Sequence, residues 1–224
     1  MASIYLIRHG QASFGSANYD QLSTLGQRQA DVTGEFLSTI GLKIDAAVAG
    51  TLSRQQETGA RVLVGLGDPC ELQTDRRFNE INNEEQVSAL LPGLIDKDPV
   101  LAEIAGRDFG DSKDYQKIID AVFNAWVSPD CPDCGITPWP VFRDGVQAAL
   151  KDIMTSVGAG KNTAVFTSGG TIATAVGLIV GAHHTGFYQF YEPVMNCSIT
   201  RLIYSSKRVS LSNFNDAAHL QLLS

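Results

Sequence analysis

Ser3-Ile4-Tyr5-Leu6-Ile7-Arg8-His9-Gly10 carries a short apolar run that stops abruptly at two basic residues and a glycine. An unbroken apolar stretch of this length, bounded by turn residues, reads as a strand buried on both faces. The pattern outward from it alternates. Ser23 or Thr24 can cap a helix with Leu25, Val32, Phe36, Leu37 and Ile40 on its apolar side, ending at Gly41. Ala46–Ala49 reads as a second strand, Leu52 to Val64 as a helix closed by Gly65 and Gly67, and Glu71–Thr74 as a third strand. Thr163–Thr167 is a fourth, followed by Ser168-Gly169-Gly170 and an apolar helix, and Ile199–Tyr204 with Val209–Phe214 reads as a closing hairpin. Strand and helix at these spacings predict a three-layer α/β/α fold with a mainly parallel central sheet. From about 84 to 140 the periodicity weakens, and one helix is expected there, near Tyr115–Val127. This stretch is read as an inserted helical lid region over the sheet.

Composition narrows the function classes. The 224 residues are 44% hydrophobic and 18% charged, which excludes a wholly disordered chain. The net charge of −7 disfavours nucleic acid as a general partner. The longest apolar stretch, around Ala173–Ala182, is too short to span a membrane, and Met1–Gly10 lacks the basic start of a signal peptide. Four cysteines are too sparse for a disulfide scaffold, so the cytoplasm is the expected compartment. Cys131 and Cys134 form a C-x-x-C in a Pro-rich turn; without two further ligands at a suitable spacing it reads as a loop with two thiols, and no metal or cofactor is expected.

Four polar groups follow the ends of four expected strands: Arg8-His9-Gly10, Arg54, Glu80 and Ser168-Gly169-Gly170. In an open parallel sheet such positions share one edge, where ligands bind. Two guanidiniums suit a phosphate or carboxylate. The amides of Gly169 and Gly170, opening a helix, add an end that favours anions. His9 is a candidate nucleophile or acid–base group and Glu80 a candidate proton donor, so the set suggests phosphoryl chemistry without a metal.

These segments resemble the histidine phosphatase superfamily, the phosphoglycerate-mutase-like phosphatases. Ile4 to Gly10 is similar to its signature strand and Arg-His-Gly turn. Asp20-Gln21-Leu22-Ser23-Thr24-Leu25-Gly26-Gln27-Arg28-Gln29-Ala30 resembles D-x-L-[ST]-x-x-G-x-x-Q-A. Leu52-Ser53-Arg54-Gln55-Gln56-Glu57-Thr58 resembles L-x-R-A-x-Q-T, and Phe78-Asn79-Glu80-Ile81 resembles the L-x-E segment. The resemblance implies one domain over 1–224 and a phosphomonoesterase acting on a small phosphorylated molecule. It also implies that His9 becomes phosphohistidine, that Arg8 and Arg54 hold the phosphoryl oxygens, and that Glu80 protonates the leaving group.

Two departures from that pattern fall on expected phosphate contacts. Ser168 stands where the family carries a second histidine; its hydroxyl is expected to donate to a phosphoryl oxygen, beside Gly169, in an attenuated site. Ala12 and Gly15 stand where the family often has Ser or Thr and Asn, so Ser13, with Asn18 nearby, is the expected phosphate contact in that loop. Three other readings compete. One is a phospho-ligand binder that has lost turnover. Another is a serine hydrolase using Ser168, Asp216 and His219. The last is a mutase, for which the basic residues of the insert, Lys97, Arg107, Lys113 and Lys117, are few. Phe187, Tyr188, Phe190 and Tyr191 are candidates for the leaving-group side, with at least two expected in the core or an interface.

Overall fold

The computed structural model describes residues 2–13, 20–67, 70–107 and 112–223. Among them six strands form one sheet in the order β3 (Leu72–Thr74), β2 (Ala46–Ala49), β4 (Asn162–Thr167), β1 (Ala2–Arg8), β5 (Ile199–Tyr204), β6 (Val209–Asp216). The first four are parallel; β5 runs antiparallel to β1, and β6 closes the hairpin with it. The mainly parallel sheet is therefore as expected, with an antiparallel edge.

The opening run explains why β1 sits in the middle. Ile4 and Leu6 face one side, packing with Val146, Leu150 and Ile153 of α6 (Trp139–Ser156) and with Ile172 and Val176 of α7 (Gly169–Val180). Tyr5 and Ile7 face the other, packing with Ala30 and Leu37 of α1 (Thr24–Thr39) and with Val62, Leu63 and Leu66 of α2 (Ser53–Leu66). Side chains alternate along a strand, so an apolar run with no alternation needs helices on both faces. Ile4, Leu6 and Ile7 are fully buried, each contributing about 1.5–3 kcal/mol of apolar burial.

The helix punctuation follows the local chemistry. Ser23 caps α1, its hydroxyl accepting from the Gly26 amide at 3.0 Å. Gly26 is also needed for contact: a Cβ there would lie 2.1 Å from the Gln11 carbonyl oxygen, and one on Gly10 would lie 2.3 Å from the Gly26 carbonyl oxygen. The turn after β1 thus sits directly on the start of α1.

The insert differs most from expectation. It holds three helices among the described residues, α3 (Asn83–Ile95), α4 (Pro99–Ala105) and α5 (Ser112–Val127), not one. Asn82 caps α3 by accepting from the Glu85 amide, and Asp98 caps α4, with Pro99 in its first turn. Asn82, Asp98 and Pro99, which suit a turn equally well, serve here as helix starts. A further helix, α6 (Trp139–Ser156), begins at the end of this stretch. These helices enclose a third core of Leu90, Ile104, Val122, Phe123, Trp126, Trp139 and Phe187. α8 (Tyr188–Tyr191) joins it to α7 and, through Phe190 against Phe214, to β6 at the sheet's edge. No helix among the described residues is long and apolar enough to cross a membrane.

Candidate active site

Parallel strands β1, β2 and β4 deliver their C-terminal ends to the same edge, with Arg8 opposite Thr167 in register, so His9 and Ser168 emerge side by side. The His9 amide donates to the Thr167 carbonyl at 2.8 Å, and its own carbonyl accepts from Asn196 Nδ2 at 3.0 Å. Thr58, at the Thr of the L-x-R segment, accepts from the Gly10 amide at 3.0 Å and donates to the Arg54 carbonyl at 2.7 Å. The His9 turn is thereby tied to the first turn of α2.

The imidazole is oriented by its two nitrogens. His9 Nδ1 lies 2.7 Å from the Gly10 carbonyl oxygen, which can only accept, so Nδ1 carries the proton. Nε2 then holds the lone pair, and it accepts from Arg54 Nε at 3.2 Å. Burial, joined by the Arg8 and Arg54 charges, pushes the His9 pKa down to about 3. This keeps the ring neutral at physiological pH, and burial contributes more to it than the neighbouring cations do.

Arg54 is buried, and its Nη1 binds Asp20 Oδ1 at 2.7 Å. Asp20 Oδ2 accepts from the Ser53 amide at 2.8 Å, so one carboxylate bridges the helix start and the guanidinium. Arg8 reaches the Val194 carbonyl through Nη1, while its Nε is buried without a hydrogen-bond partner among the described residues. That donor lies beside Gly169, where a Cβ would come 3.8 Å from it. Glu80 follows a short 3₁₀ turn, Arg76–Phe78. Its Oε1 accepts from the amides of Ile81 at 2.9 Å and Gly170 at 3.0 Å, and burial raises its pKa against these contacts and against Arg8 and Arg54.

The structure therefore brings together Arg8, His9, Arg54, Glu80 and the Ser168–Gly170 turn, with three adjustments. The Gly170 amide serves Glu80, leaving Gly169 beside Arg8. The Ser168 hydroxyl is wholly buried and accepts from Gln55 Nε2 at 2.7 Å, where a hydroxyl facing phosphate was expected. Ser13 is anchored by its amide to the Gln21 carbonyl, and Gly15 and Asn18 lie outside the described residues.

Of the four candidate aromatics, Tyr191 reaches this edge: its ring packs against Gly169, and its hydroxyl accepts from Asn83 Nδ2 at 2.8 Å. Phe187 is core and Phe190 packs beneath the sheet. Asp20, Gln55 and Asn83 had no role in the sequence reading. Asp20 opens a quoted motif, and Gln55 replaces the Ala of another, which were the available signals. The Ser168–Asp216–His219 alternative is overturned: His219 is stacked on Phe36 at 5.0 Å and bonded to Thr33 Oγ1 at 3.0 Å. Cys131 and Cys134 line a cavity of about 710 Å³ with His183 and His184. No cluster of three or more His, Cys, Asp or Glu side chains suited to a metal occurs among the described residues.

The sequence profile of the histidine phosphatase superfamily (branch 1) matches residues 4–87 and 85–217, and the chain belongs to that family. Its curated relatives include human "serine/threonine-protein phosphatase PGAM5, mitochondrial", 38% identical over 112 residues, which are 47% of this chain and 39% of that protein. A 2,3-bisphosphoglycerate-dependent phosphoglycerate mutase of Brucella ovis is 34% identical over 85 residues, 35% of this chain and 41% of that one. The chain spans about a third to two-fifths of the length of the curated relatives it matches. Among solved structures, the fold is shared with a mutant of Entamoeba histolytica phosphoserine phosphatase in complex with phosphoserine, with a TM-score of 0.66 and 18% identity over 98% of this chain and all of that one. It is shared equally with the phosphoglycerate mutase of Bacillus anthracis, with a TM-score of 0.69 and 17% identity over 98% and 95%.

Proposed function

We propose that this chain is a metal-independent phosphomonoesterase that acts on a small phosphorylated molecule through a phosphohistidine on His9. The observation that carries the reading is the fixed tautomer of His9, with Nδ1 anchored and Nε2 held by Arg54. In the first step Nε2 attacks phosphorus. Arg54 and Arg8 take the charge that develops on the phosphoryl oxygens. The carboxyl of Glu80, whose protonated form burial favours, gives its proton to the leaving oxygen. In the second step the Glu80 carboxylate takes a proton from water as that water attacks the phosphohistidine, releasing phosphate and free His9. The Gly169 amide and Ser13 are proposed as further phosphate contacts, with Ser168 acting indirectly.

Hydrolysis is favoured over phosphoryl transfer between hydroxyls. Two of the few basic residues of the insert are occupied locally, Arg107 by Glu103 and Asp114, and Lys117 by Asp114. The phospho-ligand binder without turnover is the second reading, favoured by the buried Ser168 where the family has an imidazole. The cytoplasm is the proposed location, on the sparse cysteines.

The test is a panel of sugar phosphates, nucleotides, phosphoamino acids and p-nitrophenyl phosphate, run beside His9→Ala. Turnover that vanishes in the variant, with phosphohistidine trapped on the wild type, supports the enzyme. Phosphate binding without turnover on any ester supports the binder.

A further inference from the structure

Gln55 lies wholly buried one residue after Arg54 in the first turn of α2. Its Nε2 donates to two acceptors, the Phe78 carbonyl at 3.0 Å and Ser168 Oγ at 2.7 Å. The Phe78 carbonyl decides which way the amide faces, because the flipped amide would set two oxygens against each other. Ser168 occupies the N-cap position before α7 yet makes no side-chain cap, although serine ordinarily caps such a position. Its hydroxyl is turned to Gln55 instead. Gln55 Oε1 is buried without a hydrogen-bond partner among the described residues, an arrangement that costs free energy.

The same carbonyl of Phe78 accepts from Thr167 Oγ1 at 2.6 Å, and the Asn79 carbonyl accepts from Thr171 Oγ1 at 2.6 Å. The two residues before Glu80 are thus bonded to β4 and α7 by threonines and to α2 by Gln55. Gln55 spans three of the strand ends that build the site. The Gln55 and Ser168 side chains together hold as many heavy atoms as an alanine and a histidine, the residues of the family pattern at these two positions.

We propose that Gln55 is a positioning residue that acts with Ser168 as one unit in the floor of the site. The unit sets the segment leading to Glu80 against Arg54, and it fills the space an imidazole at position 168 would need. The catalytic half of this inference rests on the phosphatase reading; the packing half stands without it.

Two experiments decide it. The first is a cycle of Gln55→Ala, Ser168→His and the double variant, read by thermal unfolding. Each single variant is expected to melt below the wild type, one from a cavity and one from overpacking, and the double variant to regain most of the loss. A Ser168→His protein as stable as the wild type, or losses that simply add, would overturn the unit. The second is Gln55→Met, which keeps the length and removes the amide. It is expected to slow an alkyl phosphate about tenfold more than p-nitrophenyl phosphate, a difference that disappears in a Glu80→Gln background. Equal losses on both esters, or a difference that survives Glu80→Gln, would overturn the positioning role. A wild type without turnover on either ester would remove the phosphatase reading and the positioning role together, while the thermal cycle still decides the unit.

Discussion

Arg54 Nε donates to His9 Nε2 at 3.2 Å, so the guanidinium is bonded to the nitrogen proposed to attack phosphorus. In the free protein this contact aims the lone pair and occupies it. Attack requires a phosphoryl oxygen to draw the Arg54 donor away. Arg54→Lys supplies the charge without the planar fork that serves His9 and Asp20 together. It is expected to lower kcat about 10²–10³-fold in steady-state assays on p-nitrophenyl phosphate. Retention within a few-fold would show that only charge matters at this position.

Asp20 holds the other side of that fork through a 2.7 Å contact and is itself bonded to the first turn of α2. Asp20→Asn keeps the shape and weakens the charge-assisted bond. kcat/KM should fall about 5- to 30-fold, corresponding to about 1–2 kcal/mol, with little change in melting temperature. An unchanged kcat/KM would make Asp20 a surface partner only.

Glu80 carries a raised pKa, so its carboxyl stays protonated to higher pH than an ordinary one. Activity on an alkyl phosphate should decline as pH rises through that value, and p-nitrophenyl phosphate, with its good leaving group, should show a flatter limb. Glu80→Gln should remove the difference. Identical pH profiles on the two esters would assign Glu80 a structural role.

His9 titrates near 6.5 when unfolded and is held to about 3 when folded. Between these values the unfolded chain binds the extra proton, so this group's contribution to stability shrinks as pH falls below 6.5. From about pH 7 to about pH 5 the wild type should lose about 2 kcal/mol more than His9→Ala in urea unfolding. Parallel losses in the two proteins would place the His9 pKa near its ordinary value.

Much of this fold was legible because β1 and β4 are apolar on both faces, a pattern only a covered sheet satisfies, and because glycines mark the ends of α2 and α7. The convergence of Arg8, His9, Arg54 and Glu80 followed from strand order alone. The insert was not legible. Asn82, Asp98 and Pro99 suit a loop as well as a helix start, and Pro92 lies inside α3, so local chemistry left the choice to tertiary packing. The Gln55–Ser168 contact was hidden for a different reason: it joins residues far apart in the chain, and neither has a side chain whose chemistry announces a partner.

Both tryptophans, Trp126 and Trp139, lie in the core under the inserted helices, edge to face with centroids 5.1 Å apart. The strand ends that carry the site contain none. Indole fluorescence of this protein, excited to the red of tyrosine absorption, is therefore an optical gauge of the helical layer, while turnover gauges the sheet. Most of the helical layer's core comes from one continuous stretch of chain, whereas the site waits for the distant partners β1 and β4 to meet. On refolding, the optical signal and the catalytic signal are free to recover on separate clocks, and a chain that looks native by its indoles can still lack its site.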